Sequence, residues 1–295
     1  MNNLTLRLPR QTKLALLALG ITGLAVAVLL GVNIFHQLQD VPLEPNPFAM
    51  IFAVIADTFT NHVLWELVLN ILILFSLTMF LKNMLEQLRR YKLWRQYIKA
   101  NSGTSRQDFL DSRFENERVA FVIIKKPEII AMTAGFFKPK IVLSSGALER
   151  FGEEELAAIV YHELFHYKSR HPLQLFILKL LADCLAFLPV VEELARHYKV
   201  WMELLADRYS MKRMGSEAPM AQVLLSLLQK ERFVEGSFGV GFANEAINYR
   251  LMQLIEPGRK IKIPLFNWGK MALSLFVLLT IVMIFLIGCV KFRLH

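Results

Sequence analysis

The chain has 295 residues, 55% of them hydrophobic and 20% charged, with a formal net charge of +9 and a mean hydropathy of +0.40. Positive mean hydropathy at this length excludes a soluble monomer and a disordered chain. Two cysteines, Cys184 and Cys289, exclude a disulfide scaffold; both fall in apolar stretches and read as small buried hydrophobes. The basic excess fits the positive-inside bias of a membrane protein, so no direct nucleic-acid contact is expected.

The apolar excess is concentrated. Leu14–Phe35 carries no charged residue and is long enough to span a bilayer core. Arg7, Arg10 and Lys13 precede it as in a signal peptide, but the apolar core is longer and no small-residue cleavage site follows, so it reads as an uncleaved anchor. Pro42, Pro45 and Pro47 mark residues 36–47 as an extended connection. Val63–Leu81 is a second span, interrupted only by Glu66, and Lys82, Arg89, Arg90, Lys92, Arg95 and Lys99 follow it. Basic clusters at the outer ends of both spans place those ends in the cytoplasm and make the spans a hairpin. Residues 1–81 are thus a membrane hairpin, 82–266 a cytoplasmic domain, and 267–295 a C-terminal segment with a span at Met271–Val290. Two apolar segments stay open between surface and membrane: Phe48–Phe59, and Pro172–Val191 with Lys179 and Asp183 one helical turn apart inside it.

Within the cytoplasmic domain, Val119–Lys125 and Lys140–Ser144 read as short β-branched strands. A strand edge can pair with an extended peptide; either strand can equally be ordinary core. Glu153-Glu154-Glu155 then opens a helix with the favourable dipole sign, and Leu156, Ile159, Val160 and Leu164 recur at helical spacing. On that helix His162-Glu163-Leu164-Phe165-His166 is H-E-x-x-H. The two histidines share one face and can chelate a single zinc ion, with Glu163 beside them as general base. Catalytic zinc takes a third protein ligand, and Glu203 supplies it from Val200–Tyr209. Asp207 lies one turn on, placed to hold a ligating histidine. Glu192 and Glu193 compete for the ligand role, but they follow Pro189 at a helix start, where acids are favoured anyway. An oxyanion would need a further donor, for which His171, His197 and Tyr198 are the candidates.

Thr133-Ala134-Gly135-Phe136-Phe137-Lys138-Pro139-Lys140-Ile141-Val142-Leu143-Ser144 resembles the Gly-x-x-Lys/Arg-Pro-x-Ile strand of the BlaR/MecR-type membrane zinc metallopeptidases. The H-E-x-x-H helix follows at a similar gap, Phe187-Leu188-Pro189 is similar to the family's aromatic-Pro element, and Tyr249–Leu254 to its late Arg-hydrophobic helix. The resemblance covers residues 80–290 and is specific in 133–207. It implies an α+β, mostly helical, multi-pass bacterial membrane protein with a zincin-like cytoplasmic domain. It also implies a gluzincin with one zinc on His162, His166 and Glu203, Glu163 as base, and a protein substrate, in some members a transcriptional repressor or the peptidase itself. Antibiotic-sensing members carry an extracellular penicillin-binding domain after the last span and more membrane helices before the peptidase; neither is read here, so β-lactam sensing is not expected.

Two other readings stand beside this one. HtpX-type and CAAX-type membrane proteases also pair H-E-x-x-H with a downstream Glu-x-x-x-Asp helix; Lys138-Pro139-Lys140 favours the BlaR/MecR type. A non-catalytic membrane signalling scaffold would use the motif helix only for packing or structural zinc. The basic residues of 82–118 read as a solvated surface facing anionic lipid.

Overall fold

In the computed structural model the chain is described over residues 6–40, 46, 48–53, 65–103, 107–231, 240–256 and 258–292. Most of the proline-rich connection, residues 54–59 and the start of the second apolar segment lie outside the described residues; residues 48–53 are helical. The fold is α+β and mostly helical. Its helices are α1 Arg10–Asp40, α2 Trp65–Asn101, α3 Gln107–Phe114, α4 Ser145–Arg150, α5 Glu153–Lys168, α6 His171–Cys184, α7 Pro189–Met214, α8 Ala218–Glu231, α9 Val240–Ile255 and α10 Trp268–Phe292. Its strands are β1 Ser102–Gly103, β2 Phe121–Ile124, β3 Ala131–Ala134 and β4 Lys140–Ser144. The chain divides into two compact units, one of residues 1–9, 87–178 and 197–263, the other of residues 10–86, 179–196 and 264–295.

The second unit holds α1, α10 and the front of α2. Among the described residues, Arg10–Phe35 and Leu67–Ile98 are long and apolar enough to cross a membrane, while Trp268–Ile284 is shorter. The expected span Val63–Leu81 is the front of a 37-residue helix that runs on to Asn101. No Pro or Gly stands between Lys82 and Asn101, and Leu, Lys, Arg and Gln dominate there, so nothing stops the helix where the apolar residues end. Asn33 donates to Asn70 at 3.5 Å between α1 and α2, pairing two part-buried polar side chains. The Pro172–Val191 run is not continuous: α6 stops at Cys184 and α7 begins at Pro189, where a missing N–H costs nothing. Glu193, near the start of α7, is held by Lys270 at 2.6 Å and Arg196 at 3.0 Å.

In the other unit the sheet runs β1-β2-β4-β3, with β2 and β4 parallel and the outer pairs antiparallel. The expected strands are therefore the two interior ones, and the edges are β1 and β3, the latter a strand not anticipated from its composition. Ser144 pins the sheet to α4. Its Oγ accepts from Ala147 N and Ile130 N and donates to Glu128 O. Two residues on, a Cβ at Gly146 would stand 2.0 Å from the Pro127 carbonyl oxygen, so only glycine lets the two backbones meet.

Helix α5 packs on β3 and β4. Leu156, Ala157, Val160 and Leu164 join Ile141, Leu143, Phe114, Met211, Val223 and Leu254 in one core. That burial fixes the rotation of α5, and hence which way His162, Glu163 and His166 point. At Ala158 the small side chain admits α7, whose Ser210 donates to the Ala158 carbonyl at 2.7 Å. A second cluster of Val200, Trp201, Leu204, Ile261 and Ile263 packs around the middle of the Glu203 helix.

Candidate active site

One turn of α5 presents His162 and His166 with their Nε2 atoms 3.1 Å apart. From α7, Glu203 brings its Oε2 to 3.4 Å from His162 Nε2 and its Oε1 to 3.8 Å from His166 Nε2. The three side chains offer donor atoms that all lie within 4.8 Å of one another. Two imidazole nitrogens and a carboxylate oxygen form a donor set that zinc takes. Tetrahedral bonds of about 2.0–2.1 Å would put two nitrogens about 3.3 Å apart. The residues fit the ion.

The other nitrogen of each imidazole is occupied. His162 Nδ1 lies 2.8 Å from Asp207 Oδ1, and His166 Nδ1 lies 2.8 Å from His171 Nδ1. Both Nε2 atoms are thereby left for a cation, which is what an outer partner does for a ligating histidine. His171 reaches this place because Arg170 adopts a left-handed conformation, φ 52°, that turns α5 directly into α6.

Glu163 is buried, with 8% of its surface exposed, and lies under β3. Thr133 Oγ1 is 2.9 Å from Glu163 Oε2 and 2.8 Å from the Glu163 main-chain oxygen, so its one proton serves either acceptor. Gly135, φ 103°, ends β3; a Cβ there would stand 2.9 Å from Lys138 O.

Arg250 of α9 completes the cluster. Its Nε donates to Asp207 Oδ2 at 2.7 Å and its Nη2 to Asp207 Oδ1 at 2.8 Å, while Nη1 is 3.4 Å from Glu203 Oε2. Asp207 is fully buried.

Charge organises the protons. Burial pushes the Glu163 carboxyl above its ordinary value, against the pull of the His162 charge and the Thr133 hydroxyl. Burial would lower His162, but its hydrogen bonds to Asp207 and Glu203 outweigh that and raise it to about 9. Burial lowers His166 to about 3, with His162 beside it adding to the effect, and lowers His171 to about 4. Burial would raise Glu203 and Asp207, but His162 and Arg250 hold both below the usual range.

Of the oxyanion candidates, His171 abuts His166; His197 is buried with its ring 6.5 Å from that of Trp201; the Tyr198 hydroxyl donates to Gln174 Oε1. The sequence reading did not assign roles to Thr133 and Arg250, although both stood inside segments that the family resemblance singled out.

Among known families, residues 14–254 match the family model described as BlaR1 peptidase M56. No curated protein matches the chain.

Proposed function

This chain belongs to the M56 family of peptidases, and from its site we propose a zinc-dependent endopeptidase that is embedded in the membrane and cuts a protein on the cytoplasmic side. The observation that carries the reading is the convergence of His162, His166 and Glu203, three donors within 4.8 Å, directly beside buried Glu163. The proposed ligands are these three, Glu163 is the proposed base, and Asp207 orients His162. Zinc bound there would supply Lewis-acid polarisation of a carbonyl and acidification of water.

The chain's own residues supply the rest. Glu163, ionised, accepts a proton from the attacking water, and, protonated, returns it to the departing amide nitrogen. Its elevated pKa suits both halves of that task. Thr133 keeps the carboxylate in place, with Oγ1 at 2.9 Å from Oε2. Because Thr133 sits in β3 at the sheet edge, an extended peptide pairing along that edge would lay its backbone next to Glu163.

The membrane assignment extends the same proposal. The spans are α1, the front of α2 and α10, giving a hairpin at 1–81, a peptidase domain at 82–266 and an anchor at 267–295. Basic residues at 7–13 and 82–99 favour a cytoplasmic peptidase domain. Proteins in reach there include a repressor or the peptidase's own chain.

The test is zinc per chain in detergent-purified protein, together with cleavage of casein and of the chain itself, followed by mass spectrometry. About one zinc is expected in the wild type, lost or weakened in Glu203→Ala. Glu163→Gln should keep the zinc and lose cleavage. Well-folded wild type without metal, or undiminished cleavage by Glu163→Gln, overturns the reading.

A further inference from the structure

We propose that Arg250 is a positioning residue of the metal site, holding the Asp207 carboxylate that fixes His162 and, with its remaining edge, setting the Glu203 carboxylate against the two imidazoles. The inference rests on the reading of His162, His166 and Glu203 as ligands. Arg250 comes from α9, a helix that contributes no ligand, and it reaches both carboxylates of α7 with one planar group.

The hydrogen-bond accounting shows why a fork is needed. Asp207 Oδ1 is shared between His162 Nδ1 and Arg250 Nη2, and Oδ2 accepts from Arg250 Nε. With the guanidinium gone, Oδ2 would lose that donor in a fully buried position, and the carboxylate would be free to rotate away from His162. Lysine could restore the charge but not two parallel bonds plus a third contact, because its ammonium is a point donor on a flexible stem. Among the described residues, the ion-pair partners left to Glu203 would be the two imidazoles, so its approach to the donor cluster would loosen too.

A separate contact docks α9, so the role of the guanidinium can be isolated. Gln253 Nε2 donates to the Leu204 carbonyl at 3.0 Å, and Gln253 Oε1 accepts from Arg208 Nε at 2.7 Å. Leu254 adds a buried apolar anchor. Gln253→Ala therefore weakens the same helix-to-helix seam without touching the cluster.

The full chain in detergent is titrated with zinc against a competing chelator, and with cobalt(II), whose d–d absorption reports ligand geometry. Arg250→Met should weaken zinc about tenfold or more, the scale seen for outer partners of metal ligands. Arg250→Lys should weaken it roughly threefold and, like Arg250→Met, alter the cobalt spectrum. Gln253→Ala should lower the melting temperature yet leave zinc affinity and the cobalt spectrum unchanged. Since Arg250 acts largely through Asp207, Arg250→Met combined with Asp207→Asn should lose less affinity than the two single losses multiplied together. The proposal is overturned if both Arg250 variants bind zinc like the wild type with its spectrum, or if Gln253→Ala loses as much as Arg250→Met. Should Arg250→Met not fold, Arg250→Lys decides alone. A wild type that binds neither metal overturns the ligand reading itself; a metal-binding wild type with unaffected Arg250 variants overturns only the role of Arg250.

Discussion

Thr133→Val is the sharpest single perturbation of the proposed chemistry, because it deletes one oxygen and keeps the shape. The hydroxyl stands 2.9 Å from Glu163 Oε2 and 2.8 Å from the Glu163 main-chain oxygen. A hydrogen bond to an ionised group contributes about 1.5–3 kcal/mol, but one proton is shared here between two acceptors, so about 1–2 kcal/mol of positioning is at stake. If that is lost in the transition state, kcat falls roughly five- to thirtyfold. A second signature has a worked sign. The Thr133 hydroxyl opposes the burial that raises Glu163, so without it the carboxyl rises further. A base with a higher pKa is ionised only at higher pH, so the acid limb of kcat/KM moves upward. Casein cleavage measured across pH, beside zinc content, reads both effects. Zinc should be unchanged, and Thr133→Ser should restore most of the rate. A Thr133→Val enzyme with wild-type kcat and an unmoved acid limb would refute the link between β3 and Glu163.

Two further predictions concern the scaffold. Ser210→Ala removes the buried bond to the Ala158 carbonyl, 2.7 Å, and should cost about 1–3 kcal/mol by thermal unfolding because the carbonyl loses a partner in a dry seam. Gly146→Ala drives a Cβ to 2.0 Å from the Pro127 carbonyl oxygen, and neither backbone has a flexible end to yield. A loss of about 3 kcal/mol is expected, checked by the melting temperature against Gly258→Ala, where the added Cβ meets nothing within 4 Å.

What could be read from the sequence was whatever obeyed a short period. His162 and His166, and again Glu203 and Asp207, stand four apart on helices with strong apolar stripes, so their shared faces followed from helix geometry alone. Strand β3 was harder. Ala131-Met132-Thr133-Ala134 lacks the β-branched and aromatic density of β2 and β4, and it is a strand because β4 pairs with it. The continuation of α2 past Leu81 was not legible because apolar content marks membrane length, whereas helix length is set by stop signals, and none stands between Lys82 and Asn101. The contact of His171 with His166 depends on a left-handed Arg170, at a position where no glycine announces the turn. Arg250 lies 43 residues from Asp207, and no local pattern links the two.

The charges of the buried cluster support a divalent cation and also make a testable claim. Among the described residues, Glu163, Glu203 and Asp207 face one guanidinium, Arg250, which leaves two negative charges uncompensated when all three carboxylates are ionised. A dication balances that excess. Without it, a proton serves instead on His162, whose pKa is raised to about 9. Zinc binding should therefore expel protons. At pH 7 His162 gives up one. Above pH 9 the His162 contribution disappears, so zinc affinity climbs with pH and levels off there. Calorimetric titration of zinc in buffers of different ionisation enthalpy counts the protons directly. Release of about one at pH 7 from His162 is expected, with that share fading above pH 9. Zinc binding with no proton release at pH 7 would mean that His162 is already neutral in the empty site, and the charge argument for a dication would fall.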